Sequence, residues 1–488
     1  MTQRNSKNNR PYRHVLCVYP YRRELKDWGF LPPVGLEYIA SVIQPYADKL
    51  EIVDLRREPG HTADFIRPDT DMVCFSVNWE RETDFIKKEI TSVDAAVTTI
   101  IGGRCASDAP DKWLNQMPNI DSVIRGDGEE AMQEICKSLP WDKIEGLSYR
   151  HNGQIIHNAN RNPGPIHDDM EPCRKLRRHK YDIVVNGYNT GLEFDLVAGS
   201  RGCPFNCTFC SFSRNPWGVK RKLTARSPES IVAELGHITA PIVAFTDDLF
   251  THNMARVERI CDLIMQRGIK KKYIINARLE IAKHPEVMKK MEQAGFGMLL
   301  LGIESAHDKT LKSMRKGFNT ADIRRYCKAL RTTTMFKHGY FILGNIGETA
   351  NEMLKIAPFA HEIGMDSISL STLRVSPYSG LEELVAQNPG YYIATNGKIY
   401  SDHCPPPQMK KLRRQINREF YNIEQILNIM DKARIHGALR VAPMFLRQIV
   451  HGTGRAIGRI CIKAAGRGKG QSEHHQQKAK ITAPLSEQ

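Results

Sequence analysis

Arg201-Gly202-Cys203-Pro204-Phe205-Asn206-Cys207-Thr208-Phe209-Cys210 sets three thiols at spacings of four and three residues. Thiolates this close can converge on one small object without help from distant chain. They are the usual protein ligands of iron–sulfur clusters, and a cubane has four irons, so three cysteines hold three corners and leave the fourth open. Structural zinc is the alternative, but it closes its shell with four protein ligands, commonly in two pairs. No second pair follows, and Cys173 or His179 would have to supply the fourth ligand from upstream. Gly202, Pro204 and Asn206 make the stretch a loop, where three unrelated free thiols would sit exposed.

On either side of this loop, apolar strand-like runs alternate with helical ones. Glu193 to Ala198 leads into the loop; Ile242 to Thr246, Tyr273 to Ala277, Met298 to Ile303, Lys337 to Gly344 and Ser367 to Leu373 follow it. About six such units predict a partial barrel whose site gathers the loops at the strand carboxyl ends. Polar residues fall at those ends: Asp247 and Asp248, then Asn276 and Arg278, then Glu304 and Ser305. Each acid alone could be a helix N-cap or first-turn charge. As a set they point to a shared ligand.

The signature formed by Cys203, Cys207, Phe209 and Cys210 resembles that of the radical S-adenosylmethionine (SAM) enzymes. The resemblance implies a [4Fe-4S] cluster on Cys203, Cys207 and Cys210, with SAM at the open iron through its amino and carboxylate groups. Asp247 or Asp248 would lie near that amino group, Arg278 and Glu304 would contact ribose or carboxylate, with Asn276 among the strand-end contacts, and Phe209 would lie beside the adenine. Tyr340 to Thr349 is similar to the family's later Gly-rich strand and turn, with Asn345-Ile346 where Leu-Pro is commoner, and Pro377-Tyr378-Ser379-Gly380 is similar to its Pro-Tyr-Pro-Gly loop.

Upstream, Val15 to Pro20, Leu50 to Leu55, Asp71 to Val77, Val97 to Gly103 and Ser122 to Ile124 alternate with helical stretches. That pattern predicts a doubly wound parallel sheet with ligands outside the strand carboxyl ends. Pro32-Pro33-Val34-Gly35-Leu36-Glu37-Tyr38-Ile39, the Gly102-Gly103 turn and Arg125-Gly126-Asp127-Gly128-Glu129 resemble the cobalamin-binding domain that precedes the radical SAM domain in a large subfamily. Gly102 and Gly103 are then cofactor-facing, or else ordinary turn glycines. The Asp-x-His-x-x-Gly signature is absent, since Tyr19 to Leu25 hold no histidine. Bound cobalamin would lack a histidine ligand from this loop.

The fold class is therefore α/β: a Rossmann-like domain over 14–138, a connector with a hairpin over 139–192, a partial (β/α)6 barrel over 193–400, a helical region over 401–466 and a disordered tail over 467–488. Within the connector, Asn152-Gly153 predicts the hairpin turn, and Arg174, Lys175, Arg177, Arg178 and Lys180 read as a solvated basic face or a contact for an anion. Met409 to Arg434 reads as one polar, basic helix. Arg440 to Lys463 reads as an amphipathic one, with Arg440, Arg447, His451 and Arg455 on one side, suited to a membrane interface or to packing on the barrel.

With 488 residues, a formal charge of +16 concentrated in the termini, and no run of eighteen apolar residues, the chain reads as globular and cytoplasmic, with peripheral contact at the inner membrane face open to it. The 12 cysteines are mostly single and within apolar runs, as in a reducing compartment. The expected activity is SAM cleavage that functionalises an unactivated carbon, with cobalamin-linked methyl transfer to a hydrophobic or lipid-like small molecule. The alternatives are radical cyclisation or rearrangement, and a cluster-containing sensor or nucleic-acid binder. The expected partners are the substrate and an electron donor such as flavodoxin or ferredoxin; nucleic acid is not expected.

Overall fold

The computed structural model describes residues 10–22, 31–164, 166–185, 188–212, 214–375 and 379–435. The chain divides into two compact units, Met1–Ile426 and Leu427–Gln488. Of the second, residues 427–435 are described, and they are helical. The expected helix from Arg440, the tail beyond Gly466, and Ser376 to Tyr378 lie outside the described residues.

The first unit holds two seven-stranded sheets. In the first, β1 (Tyr12–Tyr19), β2 (Ala47–Asp54), β3 (Thr70–Ser76), β4 (Thr98–Gly102) and β5 (Ser122–Ile124) are parallel, in the order β2-β1-β3-β4-β5. Val15 to Val18 in β1 are fully buried, as a strand covered on both faces requires. The strand order reverses between β1 and β3, the point where open sheets of this kind bind ligands. The hairpin expected in the connector forms, as β6 (Leu147–His151) and β7 (Gln154–His157), with Asn152 and Gly153 both at positive φ. It pairs antiparallel onto β5 and so completes the first sheet.

The second sheet begins with β8 (Asp182–Val185), antiparallel to β9 (Tyr188–Val197). A small pair, β10 (Ser200–Arg201) and β11 (Thr224–Ala225), lies beside it. The strands β12 (Ile242–Phe245), β13 (Lys272–Ala277), β14 (Phe296–Glu304), β15 (Phe336–Leu343) and β16 (Ser367–Thr372) then run parallel to β9, giving the six parallel strands expected. Helices cover one face. Val257, Ile260 and Ile264 of the helix Met254–Gln266 recur at helical spacing in the core, each fully buried, and each such burial stabilises by about 1.5–3 kcal/mol. Asn253 caps that helix by accepting from the Arg256 N–H. The last pair of strands is β17 (Tyr391–Ile393) and β18 (Ile399–Ser401).

Two expectations change. Met409 to Arg434 is not one polar helix: Pro406–Phe420 and Ile423–Ile435 are separate, broken at Tyr421, and Met409, Leu412, Ile416 and Phe420 pack on the barrel core. The basic run is a solvated face only in part, since Arg174 and Arg177 turn inward. Arg177 donates to Glu37 at 2.6 and 2.8 Å and to Asp195 at 2.8 Å, and Arg174 donates to Asp195 at 3.0 Å and Glu234 at 2.5 Å. Glu37 belongs to the helix Val34–Ile43 of the first sheet, while Asp195 and Glu234 belong to the second. Glu234 also pairs with the fully buried Arg226. Lys175, Arg178 and Lys180 are exposed and keep the surface role, Arg178 against Glu51 and Lys180 against Glu193.

Candidate functional site

The cysteine loop is pinched at its base. Ser200 and Arg201 pair with Ala225 and Thr224, so residues 202–223 form one excursion at the carboxyl end of β9. Two aspartates at the end of β12 fasten its entry. Asp247 accepts the Gly199 N–H at 2.8 Å and the Ser200 hydroxyl at 2.5 Å; Asp248 accepts the Gly202 N–H at 3.0 Å. Gly202 has φ +86°, and a Cβ there would stand 3.1 Å from the Lys222 carbonyl oxygen, so no other residue fits without strain. Burial pushes both carboxyls up, Asp248 to about 6.

Cys203, Cys207 and Cys210 are all half-buried on this excursion, and the Cys210 N–H donates to the Cys207 carbonyl at 3.2 Å. Burial pushes the Cys203 thiol up, and Asp248 and Cys207 nearby add to the shift. Among the described residues no three His, Cys, Asp or Glu side chains gather as ligands of a metal ion. A cubane spreads its thiolates over separate corners, whereas a single ion draws them together, so the donor set of three adjacent thiols suits a cluster. The loop is braced from outside. Arg278 lies 3.7 Å from the Phe205 ring centroid, and the Thr208 N–H donates to the Met314 carbonyl at 3.2 Å. Phe209 packs against the apolar cluster that holds Met314 and Ile342.

The strand-end polar residues do meet at one end of the barrel, but several are engaged within the protein. Asp247 is fully buried and holds the loop entry. The Asn276 amide donates to the Asp247 carbonyl at 3.0 Å. Arg278 donates to Glu280 at 2.9 Å and to the Lys316 carbonyl at 2.6 Å, so its fork braces the loop. Glu304 has φ +71° and pairs with Lys316 at 3.3 Å; burial pushes its carboxyl up. One oxygen each of Asp248 and Glu304 takes no hydrogen bond from a described residue. Lys316 escaped the sequence reading, because it lies 12 residues beyond Glu304 outside any strand end.

A second compartment opens beside the first. The ends of β3, β4 and β5, with Gly102, Gly103 and Gly128, face Arg201, Arg214 and Arg221 of the second sheet's loops across a solvent-open cleft of about 1030 Å³. Gly103 has φ +97°, and a Cβ would come within 2.6 Å of Asn78 Oδ1. Arg104 Nη2 and Arg221 Nε are buried without a hydrogen-bond partner, donors that a large ligand bearing acceptor groups would satisfy. No histidine lines the cleft among the described residues. Arg201 reaches Glu129 at 2.5 Å, and although burial works to raise it, the Glu129 carboxyl stays below its ordinary value because Arg201 lies against it. Arg201 therefore lines this cleft while standing two residues from Cys203.

Residues 197–360 match the Radical SAM superfamily and residues 28–136 the B12 binding domain. An uncharacterized methyltransferase of Pyrococcus horikoshii is 27% identical over 441 residues, 84% of this chain and 94% of that protein. The hopanoid C-3 methylase of Methylococcus capsulatus is 28% identical over 62% of this chain and 59% of its own length. The fold is shared with the radical S-adenosylmethionine methyltransferase TsrM of Kitasatospora setae, solved with cobalamin and a [4Fe-4S] cluster bound: TM-score 0.64 at 16% identity, over 85% of this chain and 82% of that one. With both domains present in this order, the chain is a radical SAM enzyme that carries an amino-terminal B12-binding domain.

Proposed function

We propose that the protein is a cobalamin-dependent radical SAM methyltransferase that acts on an unactivated carbon of a hydrophobic, lipid-like substrate. The observation that supports it is the shared strand β10: Arg201 lines the cleft and the same loop carries the three thiols two residues on. When bound, the cluster supplies the electron that splits SAM into methionine and a 5'-deoxyadenosyl radical, and cobalamin carries the methyl group. Cys203, Cys207 and Cys210 hold the cluster. The unused oxygens of Asp248 and Glu304 accept hydrogen bonds from the SAM amino group and ribose, and Phe209 flanks the adenine. Asp247, Asn276 and Arg278 act one step removed, by fixing the loop. Gly102 and Gly103 let the ligand approach the backbone closely, and Arg104 and Arg221 donate to its acceptor groups.

The substrate class draws support from the relative named for a hopanoid. No helix among the described residues is long and apolar enough to cross a membrane. Contact with a lipid surface would fall to residues 440–463, and a flavodoxin or ferredoxin would supply electrons. Liposome flotation with and without residues 436–488 tests the first point; equal flotation removes the tail from the account.

The function is tested by purifying the protein without oxygen from cobalamin-supplemented medium, recording its ultraviolet-visible spectrum, and incubating it with reductant and methyl-labelled SAM. Cluster and corrinoid bands, 5'-deoxyadenosine and a labelled product are expected. Zinc in place of iron, or full SAM cleavage by Cys207→Ala, ends the proposal. Cleavage with no label transferred would point to cyclisation or rearrangement.

A further inference from the structure

The concave face of the second sheet carries side chains that neither the cysteine loop nor the cleft uses. Strand alternation sends Ile275, Leu299, Leu301 and Phe341 into the helical layer, where each is fully buried. Their neighbours point the other way and are only half-buried. In register across β13 and β14 lie Ile274 and Met298. Leu300, His338 and Ser367 form the next row, and Gly302, Tyr340 and Ser369 the one after. Ile342, on the same face of β15, packs in the group that Phe209 of the cysteine loop joins. This face therefore looks toward the reactive end of the barrel.

Its two halves differ in chemistry. Ile274, Met298 and Leu300 are apolar. Beside them, His338 Nδ1 lies 2.6 Å from Ser367 Oγ and Nε2 lies 2.9 Å from Ser369 Oγ, with the ring edge-on to Tyr340 at 4.8 Å. Burial pushes His338 down to about 4, so the imidazole is neutral, donating through one nitrogen and accepting through the other. A serine hydroxyl bonded once can bond again, and the Tyr340 hydroxyl makes no hydrogen bond to any described residue. Lys316, which stands against Gly302 of the same row, is paired with Glu304. The group thus offers hydrogen bonds without net charge, poorly suited to a carboxylate or phosphate.

We propose that His338, Tyr340 and Ser369 form a neutral hydrogen-bonding wall that takes an uncharged oxygen of the substrate, a hydroxyl or carbonyl, while Ile274, Met298 and Leu300 take the adjoining apolar body. The proposal rests on the reading of the barrel as the substrate chamber of a methyltransferase for apolar molecules, and it fixes the orientation in which such a molecule enters.

The test is equilibrium binding of two probes in detergent micelles to the anaerobically reconstituted full chain: a pentacyclic triterpene alcohol and the hydrocarbon of the same ring system. One or two buried hydrogen bonds predict that the alcohol binds about fivefold to tenfold more tightly. Tyr340→Phe and Ser369→Ala each reduce that preference and the double variant abolishes it, while the hydrocarbon Kd moves by less than about twofold. Equal affinities in the unaltered protein, a preference retained by the double variant, or no binding of either probe overturns the wall. SAM cleavage is followed on the same preparations. Its absence beside an intact preference sinks the methyltransferase reading and leaves the wall; cleavage without a preference sinks the wall alone.

Discussion

Arg177 grips Glu37 through two hydrogen bonds, of 2.6 and 2.8 Å, across 140 residues of sequence. Glu37 is fully buried and Arg177 nearly so, and the same guanidinium reaches Asp195 on β9. Burial pushes the Glu37 carboxyl up while Arg177 pulls it back, so the pair gains little over two well-packed apolar groups. Losing one partner is another matter. Arg177→Ala leaves two buried carboxylates short of a cation and is expected to cost about 3–5 kcal/mol. Urea midpoints read this, and Arg177→Ala combined with Glu37→Gln should recover part of the loss.

Arg278 stacks on Phe205 and donates to the Lys316 carbonyl, so it steadies the cysteine loop without touching a thiol. Arg278→Ala is expected to lower iron and sulfide retained per chain after anaerobic reconstitution by about half or more, with stability reduced by about 1–3 kcal/mol. Arg278→Lys should recover little, because a point ammonium cannot stack and fork together. Colorimetric iron and sulfide assays decide.

Two glycines of the first sheet should respond in opposite directions. Gly103→Ala forces a Cβ to within 2.6 Å of Asn78 Oδ1 at φ +97°, with an expected loss of about 1–3 kcal/mol. Gly35 lies in the helix Val34–Ile43, where an added methyl group would meet nothing within 4 Å, so Gly35→Ala should stabilise the cofactor-free protein by about 0.5–1 kcal/mol. Thermal unfolding of both variants tests the pair.

His338 makes stability fall on the acid side. Its pKa drops from 6.5 to about 4 on folding, so the folded chain binds fewer protons there than the unfolded one. The stabilisation is complete above pH 6.5 and is lost as pH falls toward 4, to the extent of roughly 3 kcal/mol. His338→Gln should flatten the stability profile within that window and leave its slope above pH 7 unchanged. Urea midpoints taken between pH 7.5 and 4.5 give the comparison.

The six parallel strands were legible because each is an apolar run ended by polar residues, and a strand end is where the chain can afford an Asp, Asn or Glu. The adjacent pair Asp247-Asp248 does stand just past the end of β12, yet sequence could not tell which carboxylate turns inward to Gly199 and Ser200, since that depends on a loop 48 residues away. The basic run at Arg174 looked solvated for the same reason: Glu37, Asp195 and Glu234 are far off in the chain. Lys316 and the His338 wall were invisible because their partners come from neighbouring strands and loops. The hairpin turn was plain, but its attachment to β5 was not, because pairing is a property of the sheet and not of the two residues in the turn.

The seam that Arg174 and Arg177 stitch across the two sheets has a bearing on how reactants travel. Prising it apart would bare Glu37, Asp195 and Glu234 together with both arginines, so breathing between the halves is strongly disfavoured. Entry and exit must then use openings that stand while the seam stays shut, the solvent-open cleft that Arg201 lines among them. Turnover in such a molecule depends on small compounds threading a fixed gap, with no swinging of one lobe against the other.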